Sequence, residues 1–328
     1  MWQTANLVWM DLGLALAGFW GARAAAHALI LKGLRAPRVA ALVSPESLGL
    51  AAQPVDIPGP NGKTLFAWFM PVPGTTPTPT PTPAILVMHG WGANASMMLP
   101  SVAPLLDAGF AVLLLDARCH GASGDEPFTS LPRFAQDIEA GLDWLAVQSR
   151  VDASRLALIG HSVGAGAALL SATRRDDIRA VVSISAFAHP YEVMRRLLAQ
   201  HHIPYFGVGW YVLRHVQRVI GARFDDIAPI HSMTRVRCPV LLVHGEDDDM
   251  VPFDDAKRLL AVGQPGRVQL LAVAGRHDPT EALQTEPSQM LAFLKGQLGS
   301  CQSACNSGQI QPVGDGSHSH GEMKSAPA

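Results

Sequence analysis

Leu158-Ile159-Gly160-His161-Ser162-Val163-Gly164-Ala165-Gly166 is the stretch on which the reading of this chain turns. Residues 155–159, just upstream, form a short, largely apolar run suited to a buried strand, and residues 165–172, downstream, are rich in Ala and Leu and suited to a helix. A serine on so sharp a strand-to-helix turn sits in crowded backbone, and small residues two positions before and after it relieve the clash. The pentapeptide G-x-S-x-G arises by chance in many chains. Flanked by strand and helix, it reads as a nucleophile elbow.

An activated serine needs a base and a group that holds the base, and on an elbow these follow in the order Ser, acid, His. After the apolar run 239–243 comes His244-Gly245-Glu246-Asp247-Asp248-Asp249-Met250-Val251-Pro252. The run 268–273 is followed by Ala274-Gly275-Arg276-His277-Asp278. An acid and a histidine therefore each sit in the loop just beyond an expected strand. In an open parallel sheet those loops share one edge, where sites form.

With these pieces the chain resembles the α/β-hydrolase superfamily over residues 53–298. The resemblance is carried by His89-Gly90-Trp91-Gly92, Asp116-Ala117-Arg118-Cys119-His120-Gly121-Ala122-Ser123, Gly160 to Gly164, His244-Gly245 through Val251-Pro252, and His277. More narrowly, it looks like bacterial serine hydrolases that carry an apolar N-terminal segment. The resemblance implies a mostly parallel α/β sheet with helices on both faces, a small helical cap and a Ser162–Asp248–His277 triad. Asp248 is chosen among Glu246, Asp247 and Asp249 because the resembled pattern is H-G-x-x-D-x-x-V-P, with His244, Gly245, Val251 and Pro252 setting the register. It also implies an oxyanion hole made by the backbone N–H groups of Val163 and Trp91. Asn94 is a candidate brace for the Trp91 loop, and His120 and Arg118 read as pins for the loop after the fourth strand.

Composition sets outer bounds. A chain of 328 residues with 48% apolar residues buries one large core, so one α/β domain with appendages fits better than two equal domains. The net charge of −2, with basic residues scattered apart from the N-terminal flank, gives no footprint for nucleic acid. Cys119, Cys238, Cys301 and Cys305 do not form a disulfide framework, and a reducing compartment is the simpler reading.

Residues 1–38 form an apolar N-terminal segment. The run 7–31 is broken by Asp11, Arg23 and His27, and its positive flank, Arg23, Lys32, Arg35 and Arg38, follows rather than precedes it. That pattern is unlike a secretory signal. It predicts a membrane anchor with the catalytic domain on the cytoplasmic side. The competing reading is a helix packed on the domain, since Asp11 is costly in hydrocarbon.

Residues 53–70 read as two strands around a turn at Gly59-Pro60-Asn61-Gly62, and the Thr-Pro repeat within 71–83 reads as an exposed connector. Further strands are expected at 84–88, 111–115, 156–159, 180–184, 240–243 and 269–273, with helices at 96–108, 134–148, 163–173, 254–262 and 280–298. Residues 188–235 are too long for a simple crossover and read as the cap insertion, in which Tyr205, Phe206, Trp210 and Tyr211 are candidate walls of an apolar pocket. Residues 299–328 read as a disordered tail. Its Cys301, Cys305, His318 and His320 are spaced too widely to argue for a metal site, and no H-E-x-x-H or like cluster occurs in the domain.

No cofactor or metal is expected. The leading functional reading is hydrolysis of a small hydrophobic carboxylic ester, thioesters and lipids included. A peptidase or amidase uses the same triad and is the alternative. A non-catalytic scaffold predicts loss of a triad member, and all three are present. Dehalogenase or epoxide hydrolase chemistry would put Asp where Ser162 stands. Oligomeric state is not set by the sequence.

Overall fold

Strands covered on both faces have no solvent-facing positions to fill, so their sequences carry no polar alternation. The computed structural model describes residues 2–74, 80–278 and 287–299. Within them lie β1 (Gln53–Pro58), β2 (Thr64–Met70), β3 (Thr82–Met88), β4 (Ala111–Leu115), β5 (Val151–His161), β6 (Ile178–Ile184), β7 (Val240–Gly245) and β8 (Val268–Val273). They form one sheet in the order β1-β2-β4-β3-β5-β6-β7-β8. The β1–β2 and β2–β4 pairs are antiparallel and the remaining pairs parallel. Every residue of β3, β4 and β7 is buried.

The helices are α1 (Trp2–Gly33), α2 (Val102–Asp107), α3 (Leu131–Ala146), α4 (Val163–Ala172), α5 (Pro190–Gln200), α6 (Trp210–Ile220), α7 (Phe224–Ile227), α8 (Pro229–Met233), α9 (Phe253–Val262) and α10 (Ser288–Leu298). Successive strand residues point to opposite faces. Leu86, Leu113, Leu158 and Leu242 therefore pack with Phe134, Ile138 and Leu142 of α3 and Leu169 of α4. Val87, Val112, Ile159 and Val243 pack on the other face with Leu105 of α2 and Met290 and Leu294 of α10. This is the α/β-hydrolase fold.

Three local differences from the sequence reading have plain causes. The helix expected from residue 96 is a 3-10 turn, Ala95–Ser101, followed by the short α2, because Pro100 lacks an amide donor and breaks the run. Strand β5 starts at Val151, since Asp152, Ala153 and Ser154 continue the strand on its half-buried to exposed end, where polar residues are tolerated. Helix α10 begins at Ser288, and residues 279–286 lie outside the described residues. So do residues 75–79 of the Thr-Pro repeat and the tail from residue 300, with Cys301, Cys305, His318 and His320.

The anchor expected over residues 7–31 is not supported: no helix among the described residues is long and apolar enough to cross a membrane. Asp11, Arg23 and His27 dilute the apolar run, and ionised groups are expensive in hydrocarbon. The C-terminal end of α1 packs on the insertion instead. Ile30 and Leu34 join Leu198, Leu213, Val216 and Phe224 in one apolar cluster, and the rings of His27 and His215 are hydrogen-bonded at 2.9 Å. The insertion itself comprises α5, a π-helical turn at Tyr205–Gly209, α6, α7 and α8. Its aromatic residues do not all turn inward. Phe206 is 89% and Trp210 51% exposed, so neither walls an enclosed pocket.

Candidate active site

The site begins where β5 runs out. Its last residue is His161 and α4 starts at Val163, so Ser162 alone makes the turn, with φ 53° and ψ −115°. Such a conformation is costly for a residue with a side chain and persists only where surrounding structure enforces it. Here the glycines enforce it. A Cβ on Gly160 would lie 2.3 Å from the Gly164 carbonyl oxygen, and one on Gly164 would lie 2.4 Å from the His89 carbonyl oxygen just past the neighbouring strand β3. The Ser162 N–H donates to Ile184 O at 2.8 Å, tying the elbow to the end of β6.

Two further loops meet this turn. After β7, the backbone N–H groups of Met250 and Val251 donate to Asp248 Oδ1 at 2.9 and 2.8 Å. The side chain of Asp248 is buried, while Glu246, Asp247 and Asp249 are exposed. After β8, the chain turns so that a Cβ on Gly245 would lie 2.4 Å from the Arg276 carbonyl oxygen, and the two loops therefore pack backbone on backbone. His277 Nδ1 is 2.8 Å from Asp248 Oδ2 and its Nε2 is 3.0 Å from Ser162 Oγ. The three side chains form a continuous hydrogen-bonded series.

Charge is held at one end of that series. Burial acts to raise the Asp248 carboxyl, but hydrogen bonds from His244, His277 and the Val251 N–H outweigh it and hold it well below the ordinary carboxylate range. An ionised Asp248 accepts from Nδ1–H of His277, leaving Nε2 bare toward the serine, the tautomer a general base needs.

Two histidines outside the triad position this arrangement. His244 Nε2 lies 2.9 Å from Val251 O and 3.2 Å from Asp248 Oδ2, so its N–H is shared between them. His161 Nε2–H donates to the His277 carbonyl at 2.9 Å, fixing the backbone that carries the base. His244 stood in the H-G-x-x-D pattern only as a register mark, and His161 only as the variable residue of the elbow.

The loop after β3 closes the remaining side. A Cβ on Gly90 would lie 3.2 Å from Ser162 Cβ, so the segment carrying Trp91 runs against the serine. It is pinned from beneath. His89 Nδ1–H donates to Gly90 O at 2.7 Å while its Nε2 accepts from the Ala117 N–H at 3.0 Å. His120 Nδ1–H donates to Arg118 O at 3.1 Å while its Nε2 accepts from the Gly92 N–H at 3.1 Å. Burial lowers both rings to about 4, so both are neutral in the fold. Asp116 accepts from the N–H groups of Ala95 and Ala122, and Asn94 Nδ2 donates to Val39 O. Buried Arg118 pairs with Asp137 and Glu126. The Trp91 side chain is 36% exposed, and the N–H of Val163, first in α4, has no carbonyl within its own helix to bond.

One cluster went unread in the sequence. His189, Asp225 and His231 bring their ligand atoms within 4.8 Å of one another on the insertion. His189 Nδ1 accepts from the Tyr191 N–H, so its Nε2 carries the proton toward Asp225 Oδ1 at 3.1 Å and offers no lone pair to a cation.

Known proteins resemble this chain in sequence and fold. The chain is 28% identical over 254 residues to the uncharacterized Mycobacterium tuberculosis protein Rv2307c, covering 74% of this chain and 79% of that one. It is 30% identical over 133 residues to cutinase 2 of Thermobifida cellulosilytica, covering 39% and 42% respectively. The Pyrococcus furiosus esterase Pf2001 shares the fold, with TM-score 0.62 and 22% identity over 80% of this chain and 100% of that one. Residues 98–300 match the prolyl oligopeptidase family model. That span takes in the elbow, both loops that meet it and the whole insertion, so the chain is a serine hydrolase and belongs to the prolyl oligopeptidase family.

Proposed function

We propose that the chain hydrolyses small hydrophobic carboxylic esters through an acyl-enzyme on Ser162. Ser162 Oγ attacks the carbonyl carbon as His277 Nε2 takes its proton, and Asp248 stabilises the resulting imidazolium. The oxyanion is held by the backbone N–H groups of Val163 and Trp91, donors typically worth two to three orders of magnitude in rate. His277 returns the proton to the leaving alcohol. Water then attacks the acyl carbon, with His277 again as base, and frees the acid.

The observation that carries the reading is the series Ser162 Oγ–His277–Asp248 at 3.0 and 2.8 Å, with Asp248 held ionised. Hydrophobic ester preference is supported by partly exposed Trp91, which follows the Gly90 that meets the serine, and by exposed Met250 in the loop that carries Asp248. The esterase and cutinase relatives point the same way. The family match supports a second reading, cleavage of short peptides or aminoacyl amides by the same residues.

The test is labelling with a fluorophosphonate probe, together with turnover of a panel of p-nitrophenyl esters and aminoacyl amides. Ser162→Ala is expected to abolish labelling and ester turnover with the fold intact by circular dichroism. Labelling that persists at another serine overturns the site, and faster cleavage of an aminoacyl amide than of any ester overturns the ester reading.

A further inference from the structure

Helices α1 and α6 leave between them an open cleft of about 430 Å³, lined by Trp20, Arg23, His27, His215, Arg218 and Val219 among others. Four of these side chains carry or accept positive charge, and among the described residues no carboxylate lines the cleft. Arg23 and Arg218 come from opposite walls, and the Arg23 guanidinium lies 5.6 Å from the centre of the Trp20 ring. Like charges gathered without a counter-charge repel one another, a cost that an anion between them removes.

A second observation bears on the charge of the cleft. His215 is only 6% exposed, and its Nε2 is spent on His27 Nδ1 at 2.9 Å. Its Nδ1 is buried without a hydrogen-bond partner among the described residues. Whichever ring donates across the His27–His215 bond, Nδ1 is left unsatisfied, and a buried polar atom in that state calls for an explanation. Burial lowers the His215 ring first, and the nearby His27, Arg23 and Arg218 lower it further, so the pocket disfavours another cation.

We propose that this cleft binds a phosphate-bearing anion, with Arg23 and Arg218 as its charge partners. A tetrahedral phosphate ester offers oxygens to both walls at once, and planar guanidinium forks suit it. Trp20 supplies an apolar wall for the organic part of the ester. The shared chemistry is that of a soluble phosphate monoester or of a phospholipid headgroup. Such a ligand would bridge α1 to the insertion, apart from the Ser162 site.

The experiment uses the full chain. Glycerol 3-phosphate and inorganic phosphate are titrated by calorimetry, and co-sedimentation is measured with vesicles of phosphatidylglycerol in phosphatidylcholine and of phosphatidylcholine alone. Saturable binding is expected, weakened about tenfold by each of Arg23→Gln and Arg218→Gln, with p-nitrophenyl ester hydrolysis unchanged as the check on folding. Arg214→Gln, which removes the same charge from α6 outside the cleft, is expected to leave binding unchanged. Binding of the soluble esters alone assigns a free ligand, and Arg23-dependent binding to phosphatidylglycerol vesicles assigns a headgroup. The proposal is overturned by absence of both, by an equal loss in Arg214→Gln, or by equal binding to phosphatidylcholine alone.

Discussion

Acidification below neutrality is expected to draw stability out of this fold through His89 and His120. Both rings are fully buried. Each donates one N–H to a carbonyl and accepts a backbone N–H on its bare nitrogen, from Ala117 at 3.0 Å and from Gly92 at 3.1 Å. Protonation would turn each acceptance into a clash of two donors. Burial holds both at about 4, against 6.5 for an ordinary imidazole. Below 6.5 the unfolded chain therefore takes up protons that the folded chain refuses, so stability is complete above 6.5 and falls as the pH drops toward 4. At about 1.4 kcal/mol per pH unit, the two units from 6.5 to 4.5 remove about 2–3 kcal/mol per ring. The ring centroids are 4.9 Å apart, so the two titrate as a pair and the sum is an upper bound of about 5 kcal/mol. That is a large part of the stability of an ordinary domain.

The assay is urea unfolding at about pH 7, 5.5 and 4.5 for the parent and for His120→Gln, whose amide oxygen accepts the Gly92 N–H without titrating. Burial raises the nearby Asp116 carboxyl, which acts in the opposite sense, so the difference between the two proteins is the readout. The parent is expected to lose about 2 kcal/mol more than the variant between the highest and lowest pH. Parallel pH dependences in the two proteins would refute the reasoning, as would a parent midpoint that is flat over the same range.

Asp248→Asn is expected to lower kcat about 10⁴-fold by favouring the wrong His277 tautomer, while Asp247→Asn and Asp249→Asn, at exposed carboxylates, change it only a few-fold. A crippled Asp247→Asn enzyme would move the acid to that position. Gly164→Ala is expected to cost about 3 kcal/mol or more in thermal or urea unfolding, because the new Cβ meets two backbone carbonyls of the neighbouring strand end at 2.4 and 2.7 Å. Wild-type stability in that variant would mean the elbow is looser than its geometry. Across p-nitrophenyl acetate to decanoate, kcat/KM is expected to rise a few-fold per carbon until the apolar surface is covered, at about 0.8 kcal/mol per methylene. A flat series would place the acyl chain in solvent.

The elbow was legible because its cause is local. Gly160 and Gly164 flank Ser162 at two residues' distance; the clash that demands Gly160 lies within the same strand and turn, while Gly164 is demanded by the backbone at the end of β3. The strands were legible for a related reason, since burial on both faces leaves β3, β4 and β7 without polar alternation, their polar residues Thr82 and His244 standing at strand ends. The acid was harder. Four carboxylates stand in a row from Glu246 to Asp249, and no propensity separates them. What separates them in space is the turn that buries Asp248 alone under two backbone N–H groups.

The sequence by itself determined the fold class, the turn at Ser162 and the order in which acid and histidine follow, because these rest on steric demands and apolar runs within a few residues. Only the tertiary structure decided what each remaining histidine does. His161 reaches the backbone of His277 across 116 residues, and His120 reaches Gly92 across 28. The same holds for the N-terminal helix, whose apolar run suited a bilayer until His27 and Ile30 met α6 and its neighbours in the insertion. It holds too for the aromatic residues of the insertion, of which Phe206 and Trp210 face solvent. An imidazole or an apolar side chain takes its role from the surface brought against it, and that surface comes from sheet order and loop packing far along the chain.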